Sequence, residues 1–230
     1  MTKPALLLFD IDGTLLLSGR AGLRAMTRTF AQTFGAADAF AGSSFGGRTD
    51  SFLLSHALKA AGLPDTADNH ARFRDAYIPL LAEEIEHPGT GHKGLMPGAL
   101  ELIEALGKHD HIHTALLTGN YRAAAEVKLT YFELWDFFEW GAFSDDAADR
   151  NALVPIARQR AETYDVPPEA LERVIVIGDT PHDIACARVG GAQSIAVATG
   201  GHSMEELRAA GADIVLADLS DTAQVLSLLI

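Results

Sequence analysis

The stretch ALLLFDIDGTLLLSGR, residues 5–20, runs from five apolar side chains directly into two carboxylates, Asp10 and Asp12. A short run that is apolar on both faces is typical of a strand in the middle of a parallel sheet. Carboxylates spaced one residue apart repel each other, and burying one without compensation costs several kcal/mol. We therefore expect a cation or several hydrogen-bond donors at the end of this strand.

The composition excludes some classes of partner. The chain has 230 residues, 48% of them hydrophobic, and its 31 acidic and 18 basic residues give a net charge of −13. Nucleic acids are bound by clustered Lys and Arg, so we expect no nucleic-acid partner. No segment approaches the length of a membrane span, and the single Cys186 fits a reducing compartment. We expect a cytoplasmic protein, with no membrane partner, that is a monomer or a homodimer.

Strand-like and helix-like segments alternate along most of the chain. This alternation predicts an α/β fold, a doubly wound parallel sheet with helices on both faces. The strand-like runs are 5–9, 112–118, 173–178, 194–199 and 212–217, with a weaker one at 138–143. The helical patterns between them are 97–109, 121–132, 151–164 and 183–192.

One long segment after the first strand interrupts this alternation. It lacks a convincing strand and contains three amphipathic stretches, 20–34, 49–62 and 69–87. Because it is far too long for a loop, we predict an inserted all-helical cap domain over residues 18–94, with 87–94 as its hinge. Residues 1–17 and 95–230 then form the core domain.

Polar residues follow three of the predicted core strands. In doubly wound sheets ligands bind beyond the carboxyl ends of the strands, so these residues are expected to converge. Four carboxylates with a hydroxyl group beside them favour Mg²⁺ together with a phosphate group. The residues are Asp10 and Asp12 after the first strand, Thr118, Gly119 and Asn120 after the second, and Asp179, Thr180 and Asp183 after the run 173–178.

Three motifs carry a resemblance to a known family: FDIDGTL (9–15), LLTGN (116–120) and VIGDTPHD (176–183). Because these motifs occur in this order at these strand ends, the chain resembles the phosphatase branch of the haloacid dehalogenase superfamily. Members of this superfamily have a Rossmann-type core. The helical insert is similar to the cap of its phosphoglycolate phosphatase-like members. The resemblance covers essentially the whole chain.

The resemblance implies a magnesium-dependent phosphatase that acts on a small-molecule phosphate ester, such as phosphoglycolate or a sugar phosphate. Asp10 is implied as the nucleophile that forms an aspartyl phosphate, and Asp12 as the general acid and base. Thr118 is implied to hold the phosphoryl group with Gly119 and Asn120. The implied metal ligands are Asp10, Asp12 (through its carbonyl), Asp179 and Asp183.

The third motif of the family is normally a lysine, and here the sequence departs from the pattern. Arg150 begins the helix after the run 138–143 and can neutralise Asp10. Lys128 is the alternative, but eight residues of helix past Asn120 place it about 12 Å from the site. We therefore favour Arg150.

Substrate selection is expected in the cap, where Arg20, Arg24 and Arg48 are candidates for binding an anionic group.

A sugar phosphomutase also keeps both Asp10 and Asp12, so it remains an alternative. A phospho-acceptor signalling module is a second alternative, which the long cap and Asp12 disfavour.

Overall fold

The run 5–9 forms the central strand of a parallel sheet in the computed structural model, which describes residues 3–42 and 45–229. Residues 1–2, 43–44 and 230, which fall within the predicted domain ranges, lie outside this description. The strands are β1 (Ala5–Phe9), β2 (Leu16–Ser18), β3 (Lys93–Leu95), β4 (Ile112–Leu117), β5 (Gly141–Ala142), β6 (Val174–Gly178), β7 (Gln193–Val197) and β8 (Ile214–Leu216). Six of them form the sheet, in the order β5-β4-β1-β6-β7-β8, with every neighbouring pair parallel.

Helices cover both faces of this sheet. The helices are α1 (Ala21–Phe34), α2 (Asp50–Ala60), α3 (Ala67–Glu84), α4 (Ala99–Leu106), α5 (Arg122–Tyr131), α6 (Leu153–Ala161), α7 (Pro168–Leu171), α8 (Pro181–Val189), α9 (Met204–Ala209) and α10 (Thr222–Leu229). Alternate side chains of β1 enter two different cores: Leu7 and Phe9 pack with α4, α5 and α10, and Leu6 and Leu8 pack with α6, α7 and α8. Within the described ranges, no helix is long and apolar enough to cross a membrane.

The helices α1, α2 and α3 form the cap. Their apolar faces share one core, and Tyr121 and Ala124, at the start of α5, belong to the same cluster. The apolar packing of the cap therefore continues onto a helix of the main sheet domain.

A two-stranded antiparallel ribbon connects the cap to the sheet. β2 leaves the site and β3 returns to it, with Leu16 opposite Leu95 and Ser18 opposite Lys93. Neither strand is evident from the sequence, because each has only three residues, and β3 occupies part of the predicted hinge at 87–94.

The predicted fold class is confirmed, and the differences lie at element ends. Of the predicted strand 138–143, Gly141–Ala142 is the part that pairs as a strand in the sheet. The helix expected from residue 97 starts at Ala99, because Gly98 precedes it in the left-handed region at φ 78°. The domain limits at residues 17 and 95 stay a prediction.

A buried carboxylate joins two cap helices. Glu84, at the end of α3, has 11% of its side chain exposed and accepts hydrogen bonds from Arg24 Nε at 2.7 Å and Arg28 Nη1 at 2.9 Å. Arg24 also donates to the carbonyl oxygens of Gly19 and Glu84. Arg24 is thus held within the cap, and the hypothesis that it binds substrate has no support in this geometry.

We expect Glu84→Gln to lower the free energy of unfolding by about 1 kcal/mol at neutral pH. The hydrogen bond from Arg24 lowers the pKa of Glu84, so the ionised side chain stabilises the fold above its unfolded pKa of about 4.3. That contribution is lost as the pH falls through the folded value. Urea unfolding at several pH values should therefore show the difference from wild type shrinking below about pH 4.

Glu83→Gln is the matched control, because Glu83 pairs with the same Arg28 but is 52% exposed. It should change stability by less than about 0.5 kcal/mol. Equal losses in the two variants would contradict this account of Glu84.

Candidate active site

The register of the central strands brings three polar strand ends together. Phe9 pairs with Leu116 on one side and with Ile177 on the other. The amide of Asp10 then donates to the carbonyl oxygen of Ile177 at 2.9 Å. The residues that follow β1, β4 and β6 therefore meet at one edge of the sheet, as the sequence predicts.

Three carboxylates are packed together at this edge. Asp10, Asp179 and Asp183 are all buried, and each offers an oxygen within 4.8 Å of the others. Burial raises the pKa of Asp10 to about 6. Burial, followed by the charges of Asp183 and Asp10, raises the pKa of Asp179 well above its usual range. The cluster is short of positive charge.

Glycines make room for Asp179. Gly13 adopts φ +89°, and a Cβ at either Gly13 or Gly200 would overlap the Asp179 carboxylate. The hydroxyl of Thr199 fixes the turn by donating to the carbonyl oxygen of Gly13 at 2.5 Å. Thr199 and Gly200 carry no chemical signal in the sequence, so only the structure could place them here.

Asp183 has two structural partners. Its Oδ2 accepts hydrogen bonds from the amide of Thr180 at 3.0 Å and from the Thr180 hydroxyl at 2.6 Å, which completes a capping box at the start of α8. Its Oδ1 pairs with Arg150. Asp183 is therefore held in place with one oxygen directed toward the carboxylate cluster.

Arg150 lies at the bottom of the site. Its side chain is 6% exposed, and Nη2 lies 3.0 Å from Asp10 Oδ1 while also pairing with Asp183. It is positioned by a 3₁₀ turn, Arg150–Ala152, that precedes α6. A single guanidinium thus contacts two of the three buried carboxylates.

The interpretation that Lys128 lies about 12 Å from the site is wrong. Lys128 Nζ donates to Asp12 Oδ2 at 2.6 Å and to Asn120 Oδ1 at 2.6 Å. The rise per residue measures distance along the helix axis, but α5 packs against the cap and so does not point straight away from the site. The long lysine side chain covers the remaining distance.

Asp12 and Thr118 occupy different environments. Asp12 has 38% of its side chain exposed, and it also accepts a hydrogen bond from Asn120 Nδ2 at 2.8 Å. Thr118 is fully buried, and its hydroxyl oxygen accepts hydrogen bonds from the amide of Asn120 at 3.2 Å and from Asn120 Nδ2 at 2.8 Å. Thr118 thus orients Asn120, which in turn orients Asp12.

A cavity of about 450 Å³ separates these residues from the cap, within the roughly 300–1,000 Å³ typical of small-molecule sites. Arg20 and Arg48 are both at its lining. Arg20 is exposed, and the guanidinium carbon of Arg48 lies 4.6 Å from the ring centre of Phe52, a side chain that is 38% exposed. The structure therefore brings both predicted arginines to the cavity, with Arg48 stacked near its surface.

Backbone groups form part of the contact between the cap and the core. The carbonyl oxygen of Arg48 approaches Gly119 so closely that a Cβ there would overlap it. The amide of Asp50 donates to the Gly119 carbonyl oxygen at 2.7 Å, and the Thr49 hydroxyl donates to that of Ala148 at 2.6 Å. Gly119 is thus needed for cap contact as well as being a predicted substrate-binding residue.

Known proteins share this sequence pattern and architecture. The sequence model of the haloacid dehalogenase-like hydrolases matches residues 7–188, which span most of the chain and all three strand ends. The chain belongs to this family. A phosphoglycolate phosphatase from Rhodospirillum rubrum is 28% identical to this haloacid dehalogenase-like hydrolase over 220 residues, 94% of this chain and 88% of the relative.

Two solved structures share the fold of this hydrolase. A hydrolase from Pseudomonas syringae matches with a TM-score of 0.71 at 24% identity, covering 99% of each chain. CbbY from Rhodobacter sphaeroides, solved in complex with phosphate, matches with a TM-score of 0.68 at 24% identity, covering 95% of this chain and 96% of that one. The predicted family and the predicted enzyme class, a phosphatase of this family, are confirmed.

The two buried cations of the site, Arg150 and Lys128, should contribute differently to stability. We expect Arg150→Met to lower the free energy of unfolding by about 3–5 kcal/mol, because it leaves the buried carboxylates of Asp10 and Asp183 without a paired positive charge. Lys128→Met should cost only about 1 kcal/mol, because Asp12 is partly exposed and keeps the Asn120 hydrogen bond. Urea unfolding of both variants in metal-free buffer measures the difference, and equal losses would contradict the assignment.

Proposed function

We propose that this hydrolase is a magnesium-dependent phosphatase that cleaves the phosphomonoester of a small metabolite through an aspartyl-phosphate intermediate. The observation that carries the proposal is the cluster of three buried carboxylates beside Arg150, at the bottom of a cavity of small-molecule size. The phosphoglycolate phosphatase relative supports the reaction type.

The residues present fit a magnesium ion. All three clustered groups are carboxylates, the oxygen ligands that Mg²⁺ prefers, and Gly13 and Gly200 keep side chains clear of Asp179. In the described part of the chain, Arg150 is the one cation paired with this cluster. We infer that Asp10, Asp179 and Asp183 hold the ion, with the Asp12 carbonyl as a further ligand. When bound, Mg²⁺ supplies charge that offsets the phosphoryl oxygens.

Asp10 is the proposed nucleophile. Its Oδ1 faces Arg150, so the other carboxylate oxygen is available to attack phosphorus. As this bond forms, the bond between phosphorus and the ester oxygen breaks, which gives an aspartyl phosphate and a leaving alkoxide. Arg150 keeps Asp10 oriented and carries positive charge next to the transferring group. Thr118, Gly119 and Asn120 complete the proposed phosphoryl contacts.

Asp12 is the proposed general acid and base. In the first step it gives a proton to the leaving oxygen, and in the second it takes one from the water that attacks the aspartyl phosphate. That attack releases phosphate and restores Asp10. Lys128 and Asn120 hold Asp12 through its Oδ2, so its other oxygen is the one available for proton transfer.

The proposed partner is a small-molecule phosphate ester, contacted on the cap side by residues that include Arg20 and Arg48. The proposal also places the enzyme in the cytoplasm, since its single cysteine, Cys186, is a buried free thiol.

Asp10→Asn should abolish release of phosphate from p-nitrophenyl phosphate, and a chelator should abolish it in the wild type until Mg²⁺ is restored. An amide at residue 10 cannot form the phosphoenzyme, so a loss of at least about 10³-fold is expected. Turnover by Asp10→Asn, or release without a divalent cation, would contradict the mechanism. Transfer of phosphate to a sugar hydroxyl in place of release would support the phosphomutase alternative.

A binding measurement tests the metal site without turnover. Mg²⁺ at about 100 times its dissociation constant should stabilise the wild type by about 2.7 kcal/mol and raise its melting temperature by several degrees. Asp179→Asn should be more stable than wild type without metal, because it removes one repelling charge, and it should lose the magnesium-dependent shift. A full shift in Asp179→Asn would contradict the proposed ligand set.

A further inference from the structure

Two polar groups on the cap side of the cavity have no role in the proposed chemistry. Asp50, the first residue of α2, is 7% exposed, and Tyr77 of α3 is 1% exposed; both line the cavity. The Tyr77 hydroxyl and Lys128 Nζ lie 3.5 and 3.6 Å from the point where a Cβ on Gly22 would stand. Asp10 and Arg150 line the same cavity from the sheet domain, so the leaving group of a substrate that reacts at Asp10 occupies the space that Asp50 and Tyr77 line from the cap.

Asp50 is held rigidly by backbone contacts. Its amide donates to the carbonyl oxygen of Gly119 at 2.7 Å, and its Oδ2 accepts a hydrogen bond from the amide of Tyr121 at 2.8 Å. Among the hydrogen bonds of residues 3–42 and 45–229, Asp50 accepts a side-chain bond only at Oδ2, and the Tyr77 hydroxyl takes part in none. One Asp50 oxygen therefore fastens the cap to the core while the other is available to a ligand.

The arginines around the cavity do not offset this carboxylate. Arg48 is partly exposed and lies over the ring of Phe52, which is 38% exposed, and Arg20 is exposed, so solvent reaches both guanidinium groups and screens their charges. Among the residues that the structure describes, the buried charged side chains at the cavity and its floor are four acids and two cations. The acids are Asp10, Asp50, Asp179 and Asp183, and the cations are Lys128 and Arg150. The net charge of these buried side chains is therefore negative, and a divalent ion bound together with a phosphate dianion does not change it. A second anionic group on the substrate would face this excess of negative charge.

We propose, resting on the proposed phosphatase function, that Asp50 and Tyr77 select an uncharged leaving group that carries a hydroxyl and reject one that carries a carboxylate. A substrate hydroxyl donates a hydrogen bond to Asp50 Oδ1 and accepts one from the Tyr77 hydroxyl. Both of these side chains then have a hydrogen-bond partner. A carboxylate at this place repels Asp50 and leaves its oxygen without a donor. The substrate class is then polyol or sugar phosphates, and phosphoglycolate is a poor substrate.

A matched pair of esters isolates this choice. 2-Phosphoglycolate and 2-hydroxyethyl phosphate differ only in a carboxylate against a hydroxymethyl group. Burial raises the pKa of Asp50 to about 7. The assays are therefore run at about pH 8, above this pKa, so that Asp50 is ionised. We expect kcat/KM of the wild type with Mg²⁺ to favour 2-hydroxyethyl phosphate by at least about tenfold, the effect of about 1.4 kcal/mol.

Asp50→Asn is the informative variant. Its amide oxygen can still accept the Tyr121 hydrogen bond, while the group facing the cavity changes from an anionic acceptor to a neutral donor. We expect the preference for 2-hydroxyethyl phosphate to fall by about tenfold or more. Asp75→Asn is the matched control, since Asp75 is an exposed acid on the same helix as Tyr77, and its ratio should equal that of the wild type. Tyr77→Phe should lower the ratio about threefold and serves if Asp50→Asn does not fold.

Binding separates failure of this inference from failure of the proposed function. Calorimetric titration of the two esters into Asp10→Asn protein with Mg²⁺ measures the same preference without turnover. A wild type that releases no phosphate from any ester would contradict the function, whereas this affinity ratio would still test Asp50. Tighter binding of 2-phosphoglycolate, or a ratio that Asp50→Asn leaves unchanged, would overturn the inference.

Discussion

The structure has to accommodate three acidic side chains, Asp10, Asp179 and Asp183, that are packed together where buried strands end. β1 has β4 on one side and β6 on the other, so Asp10 emerges where little water can reach it. Arg150 contacts Asp10 and Asp183, but one guanidinium cannot balance three acids. The remaining repulsion is what a bound cation would relieve. Under the proposed function, the same arrangement binds the metal and reacts with the phosphate ester.

The fold and the floor of the site were predictable because both follow from local patterns. The apolar run 5–9 ending in Asp10 indicates a central parallel strand, and parallel strands bring their carboxyl ends to one edge. The convergence of Asp10, Asp179 and Asp183 follows from that geometry, and their proposed roles follow from the family motifs.

Other features depend on tertiary packing, which the sequence does not display. The position of Lys128 depends on the direction of α5, which the helix rise does not give and which packing against both the sheet and the cap sets. Gly200 is an ordinary loop glycine until Asp179 is placed against it. Asp50 resembles a common helix-start residue, favoured there by the helix dipole, and only the docked cap shows that it lines the cavity. The ribbon was missed because three residues carry too little periodicity to indicate a strand.

The paired strands β2 and β3 have a consequence for how such enzymes can be altered. The chain enters and leaves the insertion at neighbouring points, with Ser18 opposite Lys93, so both chain connections between the cap and the sheet lie side by side. An insertion with closely spaced ends can be exchanged without changing the chain path of the host domain, provided that the new cap also covers Tyr121 and Ala124. The ribbon therefore serves as a natural graft point, at which a cap from a homologue could be transplanted to give the same phosphate chemistry a new specificity.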